Sequence, residues 1–270
     1  MVNKPIVGVA VFIFVLAAGG VYYLKTRNAT LPAAPTAPSS TAPAAGEPSI
    51  AHPLPQASGG AAALGPLPDL PNSDSPLRDA LAQLAGADAV KDYLVPEDVI
   101  RKMVVTIDNL PRQKVAVDKR PINAVAGSFA ADGDELQATL NQRNFERYKP
   151  LVAVVRKLDT QQLGALYIHF YPLFQQSYQN LGYPNGYFND RLVEVIDVML
   201  ATPDPKGPIK LVRPNVMYTF ADPALEARPA GQKLLIRMGP ENAQAIKAKL
   251  TELRSVITAG PLKHQQKDSP

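Results

Sequence analysis

The sequence contains no cysteine. Its absence excludes disulfide scaffolds, thiolate nucleophiles, zinc sites built on cysteine and lipidation of an N-terminal cysteine. It also means that cysteine usage gives no indication of the redox compartment. The compartment must therefore be inferred from other features of the chain.

Histidine is almost as scarce, with three residues in 270. His52 and His264 fall in a predicted linker and tail, so only His169 belongs to the predicted folded region. A Ser-His pair or a histidine-rich zinc site needs more than one isolated imidazole, and no phosphate loop, dinucleotide glycine pattern or His-Glu-x-x-His motif occurs. We therefore predict no metal and no cofactor, and we interpret His169 as a packed or surface helix residue.

A concentrated basic region is also missing, although the net charge is +4 and the pI is 9.1. Residues 73–260 carry 23 Lys and Arg against 21 Asp and Glu, a net charge of only +2. Because nucleic-acid binding needs a basic face or stripe, we expect no nucleic-acid partner. A small basic group is interpreted as a solvated loop, with phospholipid headgroups, lipopolysaccharide phosphates or an acidic partner as alternative contacts: Arg112, Lys114, Lys119 and Arg120.

The longest apolar run is residues 5–24 (PIVGVAVFIFVLAAGGVYYL), which contains no charged residue. As a helix it would span roughly 30 Å, the thickness of a bilayer core. Lys4 precedes the run, Lys25 and Arg27 follow it, and Tyr22 and Tyr23 lie near its end, where an interfacial aromatic belt would be. We predict a transmembrane anchor. The alternative is a cleaved signal peptide, since residues 17–19 are small, but apolar residues continue to Leu24.

Residues 25–72 are predicted to form a disordered linker rich in Pro and Ala. Between Asn28 and Asn72 there is no Lys or Arg, and such a composition cannot bury enough apolar surface to offset its ordering entropy. A segment without positive charge is easily translocated, so we expect a single-pass protein of the bacterial inner membrane whose soluble domain is periplasmic. The linker would reach about 40 Å.

Residues 73–258 are predicted to be a helical soluble domain, and residues 259–270 a polar tail. Proline, glycine and capping residues delimit the helices, and Pro172 should kink or break the longest of them. Predicted helices cover residues 75–86, 96–109, 145–158, 161–181, 187–200, 231–237 and 241–257. Residues 128–140 could form a hairpin around Asp132-Gly133, and residues 209–212 and 216–220 short strands. The predicted fold is thus mainly α, with one or two small β-hairpins.

The helix at 161–181 carries a stripe of apolar residues, five of them aromatic, at three- and four-residue spacing: Leu163, Tyr167, Phe170, Tyr171, Phe174, Tyr178 and Leu181. Such a stripe could stack sugar rings or receive a partner peptide. A stripe of that size would be unusual on the surface of a monomer, so we interpret it as the domain core.

Three carboxylates, those of Asp190, Glu194 and Asp197, share one helix face at i, i+4 and i+7. Crowded carboxylates can raise one another's pKa, as in general-acid pairs and hard-metal sites. The simpler interpretation is a solvated face paired with Arg or Lys from a neighbouring helix. They are therefore retained only as weak catalytic candidates.

Residues 182–189 (GYPNGYFN) combine turn-forming residues with three aromatics. Packing of Tyr183 and Phe188 onto the core is the simpler interpretation, but aromatics in a loop can also bind ligands. This region is the best candidate recognition surface. Its predicted binding residues are Tyr183, Asn185, Tyr187, Phe188, Asn189 and Arg191.

Four strings in order resemble the bacterial domain of unknown function 3014 family: residues 103–112 (MVVTIDNLPR), 182–200 (GYPNGYFNDRLVEVIDVML), 215–223 (NVMYTFADP) and 231–242 (GQKLLIRMGPEN). The resemblance covers nearly all of residues 73–257, preceded, as in that family, by a membrane helix and a Pro/Ala linker. It implies a Gram-negative proteobacterial source and an envelope setting. It assigns no activity, cofactor or catalytic residue.

From these features we predict a non-enzymatic, membrane-tethered periplasmic module that binds or scaffolds another envelope component, either a protein or a glycan. The inner membrane itself is a partner through residues 5–24. The alternatives are an enzyme that acts on cell-wall glycan through the carboxylates, with aromatic residues as sugar platforms, and a metal- or lipid-binding sensor.

Overall fold

The computed structural model describes residues 50–55, 64–115, 119–134, 138–214 and 217–258. The predicted membrane anchor at 5–24, most of the linker and the tail at 259–270 lie outside the described residues. Within the described ranges, no helix is both long and apolar enough to cross a bilayer.

The described part of the chain is mainly helical, which confirms the predicted fold class. A short 3-10 turn at Leu70–Asn72 precedes the first helix. The nine α-helices in the described residues are α1 Asp74–Ala85, α2 Ala87–Tyr93, α3 Val99–Asn109, α4 Arg143–Arg156, α5 Thr160–Asn180, α6 Phe188–Leu200, α7 Pro223–Glu226, α8 Ala230–Met238 and α9 Pro240–Thr258. Of these, α2 and the one-turn α7 were not predicted from the sequence.

The predicted hairpin at 128–140 and the two predicted strands at 209–212 and 216–220 come together in one small antiparallel sheet. Its strands, in spatial order, are β1 Ala131–Asp132, β2 Ala138–Leu140, β3 Lys210–Val212 and β4 Thr219–Phe220. That these strands form a single sheet was not predicted. The sheet depends on the pairing of β2 with β3, in which Ala138 lies opposite Leu211. Buried side chains of the sheet meet Ile236 of α8 in a second, smaller core.

The main core surrounds α5 and contains most of its aromatic stripe. Tyr167, Phe170 and Phe174 are each at most 2% exposed, which confirms the interpretation of the stripe as core. The ring of Phe174 stacks parallel to that of Phe188 in α6, with 5.7 Å between the centroids. Only Leu181, the last residue of the stripe, is exposed.

Pro172 does not break α5, which runs without interruption from Thr160 to Asn180. Proline removes one backbone donor, but the buried residues on both sides of it, Tyr171 and Leu173, hold the helix against the core. The helix begins where predicted, because the carboxylate of Asp159 accepts a 2.9 Å hydrogen bond from the backbone N–H of Gln162. It ends before Gly182, whose φ is +116°.

A close contact joins the start of α9 to α4. Gly239 has a φ of +85°, and a Cβ at this position would lie 2.5 Å from the ring of Phe145. Only glycine satisfies both the left-handed backbone and the space available. Gly207 shares the left-handed backbone, with a φ of +79°, but has open space where a Cβ would be.

We expect Gly239→Ala to lower the free energy of unfolding by about 2–4 kcal/mol, because backbone strain and a clash with Phe145 add. Gly207→Ala, which adds strain alone, should lower it by about 1–2 kcal/mol. Urea denaturation of the full-length protein in detergent, followed by circular dichroism, measures both. Equal losses for the two variants would contradict the packing described here.

Candidate functional site

A cleft of about 350 Å³ opens where the ends of α3 and α5 meet the beginning of α6. It is lined by Asp108, Tyr178, Tyr183, Tyr187, Asp190, Arg191 and Glu194. Four of these residues come from the stretch 182–191, which contains the predicted recognition surface: Tyr183, Tyr187, Asp190 and Arg191. The cleft therefore brings together aromatic rings and charges of both signs.

Asp108, near the C-terminal end of α3, holds the base of the cleft together. Its side chain is only 4% exposed, and its carboxylate accepts hydrogen bonds from Arg191 Nε at 3.1 Å, Arg112 Nη2 at 2.7 Å and the Tyr183 hydroxyl at 3.3 Å. A buried carboxylate is tolerated only when donors of this kind replace water. The pairing joins α3, the chain after it, the 182–187 turn and α6.

Arg191 bridges two carboxylates and also a backbone group. Besides Asp108, it donates to Glu194 Oε2 at 2.7 Å and to the backbone carbonyl of Asp108 at 2.7 Å. Burial alone would lower the pKa of the Arg191 guanidinium, but the hydrogen bond to Glu194 and the charges of Glu194 and Asp108 outweigh it and raise the pKa. Arg191 is therefore a fixed cation within the cleft wall.

Tyrosine rings form the apolar part of the cleft. Tyr178 and Tyr183 stack with 4.5 Å between their centroids, and Tyr187 lies 5.6 Å from Tyr171. Burial, with the nearby charge of Asp108, raises the pKa of Tyr178. Its hydroxyl is protonated at neutral pH, as in an ordinary tyrosine, and the ring is uncharged.

The six predicted binding residues separate into surface and interior positions. Tyr183, Tyr187 and Arg191 line the cleft, and Asn185 is exposed in the 182–187 turn. Phe188 and Asn189 are both 0% exposed. Phe188 packs against Phe174, so its observed role is structural.

The three catalytic candidates have three different partners. Asp190 and Glu194 line the cleft, but Asp197 makes two hydrogen bonds, of 2.6 and 3.0 Å, to Arg254 of α9. Glu194 pairs with Arg191, and Asp190 accepts two backbone N–H groups. In the described ranges, no group of three or more His, Asp or Glu side chains is placed to hold a metal ion.

Sequence reasoning missed Asp108 and Arg112 as a pair. Asp108 lies four residues after Val104 and next to Ile107, on the buried side of α3, and Arg112 follows at i+4. An acid on the apolar face of a helix, followed by Arg one turn later, is the signal that could have identified them.

A second feature outside the predicted site is the segment 50–55, within the residues assigned to the linker. The backbone N–H groups of Ala51 and His52 donate to Asp190, at 3.0 and 2.6 Å. Asn189 Nδ2 donates to the backbone carbonyl of His52 at 2.8 Å, and Leu54 packs against the main core. We call residues 50–55 the docked segment, and Tyr187, Asn189 and Asp190 the rim group.

Comparison with known proteins identifies the family. A family model described as "Protein of unknown function (DUF3014)" matches residues 99–254. The chain belongs to the DUF3014 family. The match confirms the resemblance noted from the sequence, and it includes every residue that lines the cleft, whereas the docked segment precedes it. No curated protein and no solved structure matches the chain.

Asp108→Asn should lower the free energy of unfolding by about 2–3 kcal/mol, because it leaves the partly buried Arg191 with Glu194 as its remaining carboxylate partner. Asp204→Asn is the matched control, since Asp204 pairs with Lys206 where both side chains are exposed, and it should change stability by less than about 0.5 kcal/mol. Chemical denaturation of full-length protein measures the difference. Indistinguishable variants would show that Asp108 does not hold the cleft.

Proposed function

We propose that the protein is a membrane-tethered binding module of the bacterial cell envelope, and that the cleft is its binding site. The apolar run at 5–24 with its basic flanks supports a single-pass anchor in the inner membrane. The absence of Lys and Arg between residues 28 and 72 favours a periplasmic domain. With residues 50–55 docked, about 25 residues separate the predicted anchor from the domain, and they would let the domain search within roughly 30 Å of the membrane.

The observation that best supports the binding function is the network of ion pairs and hydrogen bonds at the base of the cleft. Asp108, Arg112, Arg191 and Tyr183 satisfy one another through side-chain hydrogen bonds. This arrangement fixes Tyr183, on whose ring Tyr178 stacks, without any ligand. A cleft whose aromatic rings and charged groups are already held in place favours recognition, since little ordering entropy remains to be lost on binding.

The same network argues against general acid-base chemistry. A catalytic carboxyl must present a free oxygen or proton to the substrate. The carboxylates of Asp108, Asp190 and Glu194 already accept hydrogen bonds from Arg side chains, a Tyr hydroxyl or backbone N–H groups. Both oxygens of Asp108 and of Asp190 are engaged in this way, and one oxygen of Glu194, which favours a structural role for these carboxylates.

A second candidate is an enzyme that acts on cell-wall glycan. The specific observation in its favour is that Asp190 and Glu194 line the same cleft as Tyr183 and Tyr187, which could form a sugar platform beside two carboxylates. Digestion of purified cell-wall glycan by the wild-type protein, lost in Glu194→Gln, would establish it. An inert wild-type protein eliminates it.

A photocrosslinking residue in place of Asn185 tests the binding function in intact cells of the source organism. Asn185 is exposed and stands between the cleft residues Tyr183 and Tyr187 in the chain, so we expect it to capture one discrete envelope component. A crosslinker in place of Lys206, whose side chain is 89% exposed in the loop after α6, is the control and should not capture it.

Capture of the same component from both positions, or of nothing from position 185, would contradict assignment of the cleft as the binding site. The captured species also separates the candidates, since a glycan adduct favours the enzyme or a glycan-binding module and a protein adduct favours a scaffold.

A further inference from the structure

The docked segment lies against the rim group as a short stretch of non-helical chain. Its sequence is Ile-Ala-His-Pro-Leu-Pro, and each proline disfavours helical backbone in the residue before it. His52 and Leu54 are therefore biased toward extended conformations before they meet the domain. The segment has the form of a bound peptide, although it belongs to the same chain.

The rim group contacts only the backbone of the docked segment in its polar interactions. Asp190 accepts from two consecutive N–H groups, those of Ala51 and His52. The carbonyl of His52 accepts from Asn189, and the N–H of Leu54 donates to the Tyr187 hydroxyl at 3.4 Å. Because these contacts do not depend on side-chain identity, other peptides with the same spacing of N–H and C=O groups can make them.

The receiving side is built before the peptide arrives. Asn189 is fully buried, and its amide accepts from the Tyr167 hydroxyl at 3.1 Å and donates to the backbone carbonyl of Ile257 at 3.2 Å. These two bonds fix the orientation of the amide. The remaining N–H of the amide is then directed at the docked segment, and being buried it needs an acceptor such as the carbonyl of His52.

The docked segment fits this site incompletely. Ile50 is 51% exposed, Ala51 and Pro53 are exposed, and Leu54 alone packs against the main core. The segment occupies the site largely because it is part of the same chain, which gives it an effective concentration of the order of millimolar at the site. A free peptide that adds apolar contacts to the neighbouring tyrosines can therefore displace it.

We propose that the rim group is a recognition site for extended, proline-containing peptides, and that the docked segment occupies it until a partner segment of the same chemistry replaces it. The proposal rests on the function assigned to the cleft and names its ligand class. Release would add the six docked residues, about 20 Å of extended chain, to the tether. Partner binding would thereby extend the reach of the domain from the membrane.

Binding of a fluorescent peptide with the sequence of residues 46–58 to the full-length protein in detergent tests the proposal. In the Ala51→Pro variant the protein's own segment loses one of its two N–H donors to Asp190, which weakens its hold on the site. Fluorescence anisotropy should show that this variant binds the peptide at least tenfold more tightly than the wild type. His52→Ala, which keeps every backbone contact, should behave like the wild type.

Two further samples make the test specific. A peptide that itself carries proline at the position of Ala51 should bind at least tenfold more weakly, and addition of Asp190→Ala to the Ala51→Pro protein, which removes the acceptor of both N–H groups, should weaken binding further. Failure of the Ala51→Pro protein to bind, or equal binding of the proline-substituted peptide, would overturn the proposal. Glycan capture at position 185 together with such a failure would retain the cleft as a binding site and reject peptides as its ligand.

Discussion

The carboxylate of Asp108 and its partner Arg191 form the contact on which the cleft depends. Asp108 is buried at the end of α3, and a carboxylate in that position is costly unless donors surround it. Arg191 can reach it only if the first turns of α6 lie beside α3. Tyr183 completes the donor set and thereby fixes the 182–187 turn. One buried charge thus determines where the aromatic and rim residues stand.

The same region of the domain holds the docked segment. Residues at the start of α6 serve two purposes, because Arg191 faces the buried network while Asn189 and Asp190 hold the docked segment. The point where the linker leaves the domain is therefore beside the cleft. A ligand in the cleft would therefore compete with the docked segment for neighbouring surface. Because the docked segment leads to the predicted membrane anchor, ligand binding could change how far the domain extends from the membrane.

The sequence predicted the long helices well because each carries its own signals. For α5 the cap at Asp159, the aromatic stripe and Gly182 are all local, and both predicted ends lie within one residue of those observed. The pairing of β2 with β3 could not be predicted, since it joins residues far apart in the chain. Asp108 was missed because an acid near a helix end is normally assigned to solvent. The docked segment was missed because the linker was predicted from its average composition, to which a single anchoring residue, Leu54, contributes little.

Hydrogen exchange at the backbone amides of Ala51, His52 and Leu54 tests this account most directly, because it shows whether the rim group holds the docked segment in solution. Mass spectrometry or NMR of full-length protein in detergent would compare the wild type with Asp190→Ala. We predict that the amides of Ala51 and His52 exchange at least about tenfold more slowly in the wild type. Equal exchange in the two proteins, at the rate of an unstructured chain, would contradict the account.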